Sequence, residues 1–428
     1  MATHPLFNTL KELKGNARSC VYTEPLWGIP FNLFVPYISV YMFSLGVKDS
    51  QIGLITSISF ACQVVFALLG GVITDKFGRK LTTLLWDLVA WSIPCLIWAF
   101  AQNFTYFLIA AILNSTWRIT SNSWVCLLVE DTDSKQIVPI YSWIYIAGLL
   151  AAFFAPIAGL LIRNYQLVAT MRGLYLFAFV LMTIKFFLLN GIVSETSHGK
   201  TRQQETRNQS IFTALGEYHG VFQQILKSPA TLSMLGIMVI VSICLMVNGT
   251  FWALLVTEKL HIPTQNIALF PVARSLLMLV FFFVVLPRIN PLHFQRPILI
   301  GFATFVVSQL LLISMPGQSY ILLLLSVLLE GCALALINPL LDALVSLTVD
   351  PLERARILSI LYVIVILITS PFGWIAGKLS EMNRILPFVL NIALFSIGGV
   401  LVFLYTRYHE RKGQADAIME EAKLAAMD

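Results

Sequence analysis

Arg118 lies deep in an apolar run, with Asn114 one helical turn before it and Asn122 one turn after. Residues four apart share a helix face, so the three side chains make a polar stripe that lipid would reject. A guanidinium held there suits a carboxylate or a phosphate. Glu330 stands in a second apolar run, with Ser326 before it and Asn338 and Asp342 drifting around the helix after it. An ionisable group at the bilayer centre costs about 2.5–3.5 kcal/mol on insertion scales, so each needs a reason. A buried carboxylate has one in proton carriage, because a neighbouring Arg decides whether it is charged. Arg274 lies at a similar depth to Glu330. Glu330 can therefore pair with Arg118 or with Arg274, and the sequence leaves both open. If Arg274 takes it, Arg118 is left for an anionic substrate group. Asn32, Tyr37, Asn248, Thr250 and Trp252 are further pocket candidates. Asp87 and Lys185 lie at matching depths, so either they form a structural pair or Lys185 snorkels to the membrane surface.

The elements that hold these residues follow from composition. The chain has 428 residues, 58% hydrophobic and 12% charged, with a mean hydropathy of +0.81. Soluble domains carry about 25% charged residues, so this is an integral membrane protein. Period-two alternation is absent, which argues against an outer-membrane barrel. Twelve apolar runs are long enough to cross a bilayer as helices: 21–45, 52–73, 81–101, 104–129, 138–162, 168–193, 232–257, 265–286, 298–315, 320–348, 357–379 and 385–405. The expected organisation is a six-helix bundle over 1–193, a cytoplasmic linker over 194–230, a second six-helix bundle over 231–406 and a cytoplasmic tail over 407–428. Apolar residues recur at helical spacing over 211–226, which predicts an amphipathic helix on the membrane surface. Pro25, Pro30 and Pro36 in the first run free backbone carbonyls, so that run should border a cavity.

The stretch 71–80 joins the second and third runs and reads Gly-Val-Ile-Thr-Asp-Lys-Phe-Gly-Arg-Lys. Gly71 would allow close backbone approach and Gly78 a sharp turn. Gly71, Asp75, Gly78 and Arg79 resemble the signature loop of the major facilitator superfamily. Six spans, a long inner loop and six more spans also resemble that family's layout. The resemblance implies an all-α membrane fold of two pseudo-symmetric bundles rocking about a shared cavity. It implies that the first, fourth, seventh and tenth helices line the cavity, so Arg118 would point at the substrate. It also implies a cytoplasmic gate, in which Asp75 meets the start of the eleventh helix near Arg356 and Arg79 meets Glu130 or Asp131. Pro156 and Pro371, and the loops 130–135 and 350–356, recur at nearly one offset, as two related halves require. A second copy of the signature loop, at 287–296, is degenerate. Gly148, Pro156 and Gly159 match an antiporter motif only in part, because Ala155 and Ala158 replace two of its glycines.

Most of the 28 Lys and Arg fall on the side of the termini, which places both termini in the cytoplasm. That distribution accounts for the net charge of +6, so no nucleic-acid partner is implied. No cleavable leader is expected at the N-terminus. The six Cys show no metal-ligand spacing and the six His lie in loops or tails, so neither metal nor cofactor is expected. Zinc-protease, nucleophile-elbow and phosphate-binding-loop motifs are absent, so an enzyme and an ATP-driven pump are both disfavoured. The expected function is secondary transport of a small solute across the plasma (inner) membrane, by a monomer among lipids, coupled to protons or sodium. Drug or metabolite efflux by proton antiport is the alternative within that class. A transport-inactive receptor or scaffold of the same fold is the alternative outside it.

Overall fold

The computed structural model describes residues 12–206, 229–284, 295–348 and 354–403. The surface helix expected over 211–226, most of the degenerate loop at 287–296 and the tail over 407–428 lie outside them. The described secondary structure is all helical. Eleven helices among the described residues are long and apolar enough to cross a membrane. In chain order they are Gly15–Ser44, Asp49–Phe77, Arg79–Ala99, Pro139–Tyr165, Leu167–Ile192, Met234–Lys259, Thr264–Phe281, Pro297–Ser314, Tyr320–Asn338, Ile360–Met382 and Leu386–Phe403. The expected run 104–129 is also helical, but it breaks into Phe104–Asn114 and Trp117–Val129. The hydroxyls of Ser115 and Thr116 donate back to the carbonyls of Ile112 and Leu113 there. Such local bonds compete with the helix ladder. Counting this pair as the fourth span gives twelve.

Proline and small residues shape the remaining spans. The first is split at Pro25 and again at Pro36, into Gly15–Thr23, Pro25–Phe34, Val35–Tyr37 and Ile38–Ser44. Proline cannot donate to the ladder, so each break is local and the axis continues. The second span runs to Phe77, not to 73. Most of the expected loop is therefore helix, and the turn is the single residue Gly78, at φ 83°. A positive φ suits glycine because it has no Cβ. The third span contains a π segment, Leu88–Ser92.

The two halves meet most tightly along the second and eleventh spans. A Cβ on Gly53 would lie 2.8 Å from Gly377 Cα, and one on Gly377 would lie 2.8 Å from the Asp49 carbonyl oxygen. Small residues let helix backbones touch in this way. Polar groups tie the same seam. Ser370 Oγ donates to Ser57 O at 2.9 Å, and the Trp374 N–H donates to Ser57 Oγ at 2.6 Å. At the end away from Gly78, Asp49 accepts from Ser380 Oγ at 2.7 Å and pairs with Arg384 at 3.2 Å. Arg384 also reaches Glu258 at 3.6 Å and lies over the Phe43 ring at 4.7 Å. Within the N-terminal half, buried aromatics interlock, and Tyr41 Oη donates to Trp98 O at 3.0 Å. Within the C-terminal half, Phe305 stacks on Phe395 at 3.9 Å, and Asn391 Nδ2 donates to Asn248 Oδ1 at 2.8 Å.

Candidate functional site

A cavity of about 260 Å³ opens where the first span meets the seventh, eighth and tenth. The proline breaks of the first span bring Asn32 to its wall, and Asn248, Trp252, Phe270, Arg274 and Glu330 come from the other half. Arg274 Nη1 stands 3.4 Å from Glu330 Oε1. This resolves the pairing that the sequence left open. The carboxylate is buried, while the Arg274 side chain is 38% exposed. Gly331 makes room for the pair, since a Cβ there would lie 3.1 Å from Arg274 Cγ. Trp252 meets Phe270 edge to face at 5.9 Å. The cavity thus offers an aromatic wall, two side-chain amides and a cation backed by its own carboxylate. It is a little smaller than the roughly 300 Å³ at which small-molecule sites begin.

Arg118 does not line this cavity. Its Nε donates to Gln63 Oε1 of the second span at 2.9 Å, and its guanidinium lies 4.1 Å from the Trp117 ring. No carboxylate among the described residues pairs with it. Asn114 Nδ2 donates to Ala90 O, inside the π segment of the third span, at 2.8 Å. Asn122 Nδ2 donates to Thr74 Oγ1 at 3.4 Å. The stripe therefore faces the second and third spans, and the neighbouring helices satisfy it. Gly70 permits that approach, because a Cβ there would lie 3.3 Å from Arg118 O. At Gly71 the nearest atom would be 3.9 Å away, an ordinary contact, so the close approach expected there falls one residue earlier.

The signature stretch forms a charged clasp. Arg79 is buried and pairs with Glu130 at 3.0 Å, and with Asp75 at 3.0 Å. Glu130 is one of the two partners the resemblance implied. Asp131 instead accepts the Ser197 N–H at 3.2 Å. The described partners of Asp75 are Arg79 and Arg202, the latter at 3.0 Å. The Arg356 side chain, expected near Asp75, lies outside the described residues. Arg202 belongs to the short helix Ser197–Thr206, which follows the sixth span. Glu195, just before it, accepts the N–H groups of Arg79 and Lys80 at 3.0 Å each. A carboxylate at a helix start satisfies free donors and suits the helix dipole. Thr196 Oγ1 donates to Glu130 Oε2. Burial alone would push the Glu130 carboxyl up, but the bonds from Arg79 and Thr196 outweigh it and hold it below the usual carboxylate range. Asp75, then Glu205, holds the Arg202 guanidinium above its usual range.

The expected Asp87–Lys185 pair is not what forms. Lys185 Nζ pairs with Glu24 Oε2 of the first span at 3.4 Å. Depth along a span says nothing of its rotation, and rotation brings Glu24 to Lys185 first. Glu195, Arg202 and Gly331 were also missed. The first two fall in a polar stretch that sequence pattern reads as linker, and Gly331 is one glycine among 24.

Residues 27–356 match the Major Facilitator Superfamily. The MFS-type transporter YqjV of Bacillus subtilis is 26% identical over 137 residues, which is 32% of this chain and 33% of that protein. The multidrug resistance protein MdtG of Proteus mirabilis is 26% identical over 197 residues, 44% of this chain and 48% of that protein. The chain thus spans less than half the length of these curated relatives. Among solved structures, the nucleoside transporter NupG superimposes with a TM-score of 0.68 at 17% identity, over 92% of this chain and 99% of that one. A POT family transporter in complex with 5-aminolevulinic acid gives 0.69 at 14% identity, over 92% and 96%. At such identities the likeness is one of fold. The match over most of the length, the twelve spans and the signature clasp agree: this chain belongs to the Major Facilitator Superfamily.

Proposed function

We propose that this chain is a secondary transporter that moves a small amphipathic solute by alternating access, driven by protons. One observation carries this reading: a cavity bounded by both halves holds a buried carboxylate beside a half-exposed guanidinium. Arg274 attracts an anionic group on the solute, while Trp252 and Phe270 take its apolar face. As the solute engages Arg274, Glu330 loses its counter-ion and takes up a proton. The halves divide as 1–193 and 231–406, joined by the linker at 194–230. The end bearing Gly78 faces the cytoplasm, as its lysines and arginines require. At the opposite, outer end Asp49, Arg384 and Glu258 form the closure. At the inner end Asp75, Arg79 and Glu130 form the gate, held here by the linker helix.

Efflux by antiport is the second reading, favoured by the local similarity to MdtG and to the quinolone resistance protein NorA of Staphylococcus aureus. Direction is read by reconstitution. Purified protein is first screened by thermal shift against metabolites and drugs, since a ligand of the folded form raises its melting temperature. Each hit is then offered to proteoliposomes under an imposed pH gradient. Accumulation that follows the gradient supports the proposal. Movement that ignores the gradient removes the proton, and no movement of any hit supports a receptor instead.

A further inference from the structure

A groove of about 680 Å³ runs along the first, fifth and sixth spans, apart from the central cavity. Its long walls are stripes that recur one helical turn apart. The fifth span contributes Ile157, Leu161 and Tyr165, and the sixth contributes Ala169, Gly173 and Phe177. The first span adds Ile29 and Leu33, and Phe154 closes the deep end. Ile157, Tyr165 and Phe177 are 46%, 65% and 47% exposed, so the groove opens on the bilayer and not on the bundle interior. Two features hollow it out. The fifth span tightens into a 3₁₀ turn, Ala152–Phe154, just before Pro156. A Cβ on Gly173 would meet nothing within 4 Å. Apart from the Tyr165 phenol, the one polar side chain in the lining is Thr170. It is 6% exposed, and its hydroxyl has no hydrogen-bond partner among the described residues. Helical threonines commonly return that hydroxyl to a carbonyl one turn back. A buried donor left unmet costs about 1–3 kcal/mol.

Length and depth point to the occupant. From Tyr165 to Phe154 the groove covers about 16 Å of helix axis, at about 1.5 Å per residue. The hydrocarbon core of a bilayer is about 30 Å thick, so this is the depth of one leaflet. Tyr165 ends the fifth span and Leu167 begins the sixth, and a tyrosine at a span end marks the headgroup level. Thr170 lies about 4.5 Å further in than Leu167, where phospholipid tails join their ester carbonyls. We infer that the groove binds one phospholipid of the leaflet away from Gly78, with an acyl tail between the fifth and sixth spans and an ester carbonyl accepting from Thr170 Oγ1. A bare hydrocarbon tail would fill the apolar length but leave Thr170 unmet. The tail packs against Pro25–Phe34, the helix that lies between two proline breaks. Asn32 on that helix lines the central cavity, so the lipid steadies one wall of the proposed transport site. The binding itself does not depend on that use.

The test is native mass spectrometry of the purified full chain, supplied with 1-palmitoyl-2-oleoyl phosphatidylethanolamine and then stripped stepwise with detergent. The parent should keep one phospholipid after the bulk lipid has gone. Gly173→Trp fills the groove from a position with open space around it and should lose that molecule. Gly173→Leu, which also favours the helix, should lose it too and keeps the test open if the larger change disturbs folding. Thr170→Val keeps the shape and removes the donor, so retention should fall roughly threefold to tenfold, the worth of one hydrogen bond. Val307→Trp, at an exposed position of the ninth span, should keep the lipid. Retention equal to the parent's in both Gly173 variants overturns the inference, as does equal loss in Val307→Trp. Palmitic acid held as tightly as the phospholipid overturns the ester contact. A mass of two chains without lipid assigns the groove to a second copy and overturns the lipid. Added phospholipid should also raise the melting temperature of the parent and not that of Gly173→Leu, and an equal rise in both counts against the site. None of these readouts involves solute movement, so failure here leaves the transport reading standing, and the reverse also holds.

Discussion

Glu330 and Arg79 are the two residues on which most depends, and they fail differently. Glu330→Gln keeps the shape of the cavity wall but cannot change charge. Movement driven by a pH gradient should stop, while exchange of labelled for unlabelled solute continues. An undiminished response to the gradient would remove Glu330 from the coupling role. Arg79→Ala strands the Glu130 carboxylate in a largely buried position. Breaking a buried pair from one side costs about 3–5 kcal/mol, so the melting temperature should fall sharply. Arg202→Ala breaks an exposed pair and should cost about 1 kcal/mol or less. Equal losses in the two variants would contradict this division. The sequence made the identity of these residues plain, since each ionisable group in an apolar run demands a reason. It could not show their partners. Arg118 and Glu330 both look paired or free until the rotation of each helix is known, and rotation is a property of packing.

At the scale of elements, the clasp between Ser197–Thr206 and the signature stretch has a pH dependence. Glu130 has a depressed carboxyl in the folded chain, so its contribution is present above the ordinary carboxylate range. It is lost as pH falls through the depressed value. Amide exchange across 197–206 should therefore accelerate only on strong acidification. Unchanged exchange there would sever the helix from Glu130. The seam between the second and eleventh spans makes a steric prediction. Gly53→Val would thrust a side chain into the Gly377 backbone. Overpacking costs about 1–3 kcal/mol, and here it should also part the two spans at the ends away from Gly78, read as faster labelling of a cysteine placed at Ser50. Labelling unchanged from the parent would mean that the seam does not close that end. The spans themselves were legible, because apolar length alone decides them. Their breaks were not. Ser115 and Thr116 split the fourth span through their own hydroxyls, and Phe77 prolongs the second to the point where only Gly78 can turn.

For the whole molecule, the family layout and the signature stretch were readable because spacing and residue type carry them. The closure opposite Gly78 was not, since Asp49 and Arg384 are 335 positions apart and nothing local links them. Across that closure the two halves, on the proposed mechanism, separate and rejoin around one cavity. Lys48 and Glu381 are exposed on either side of it. Spin labels at these two positions, in a cysteine-free background in liposomes, measure the gap directly by electron–electron resonance. Two distance populations are predicted, one short as in this structure and one longer. Arg384→Ala should enrich the longer one, because it removes the ties to Asp49 and Glu258. A single short distance in parent and variant alike, at every pH and with every ligand, would contradict alternating access.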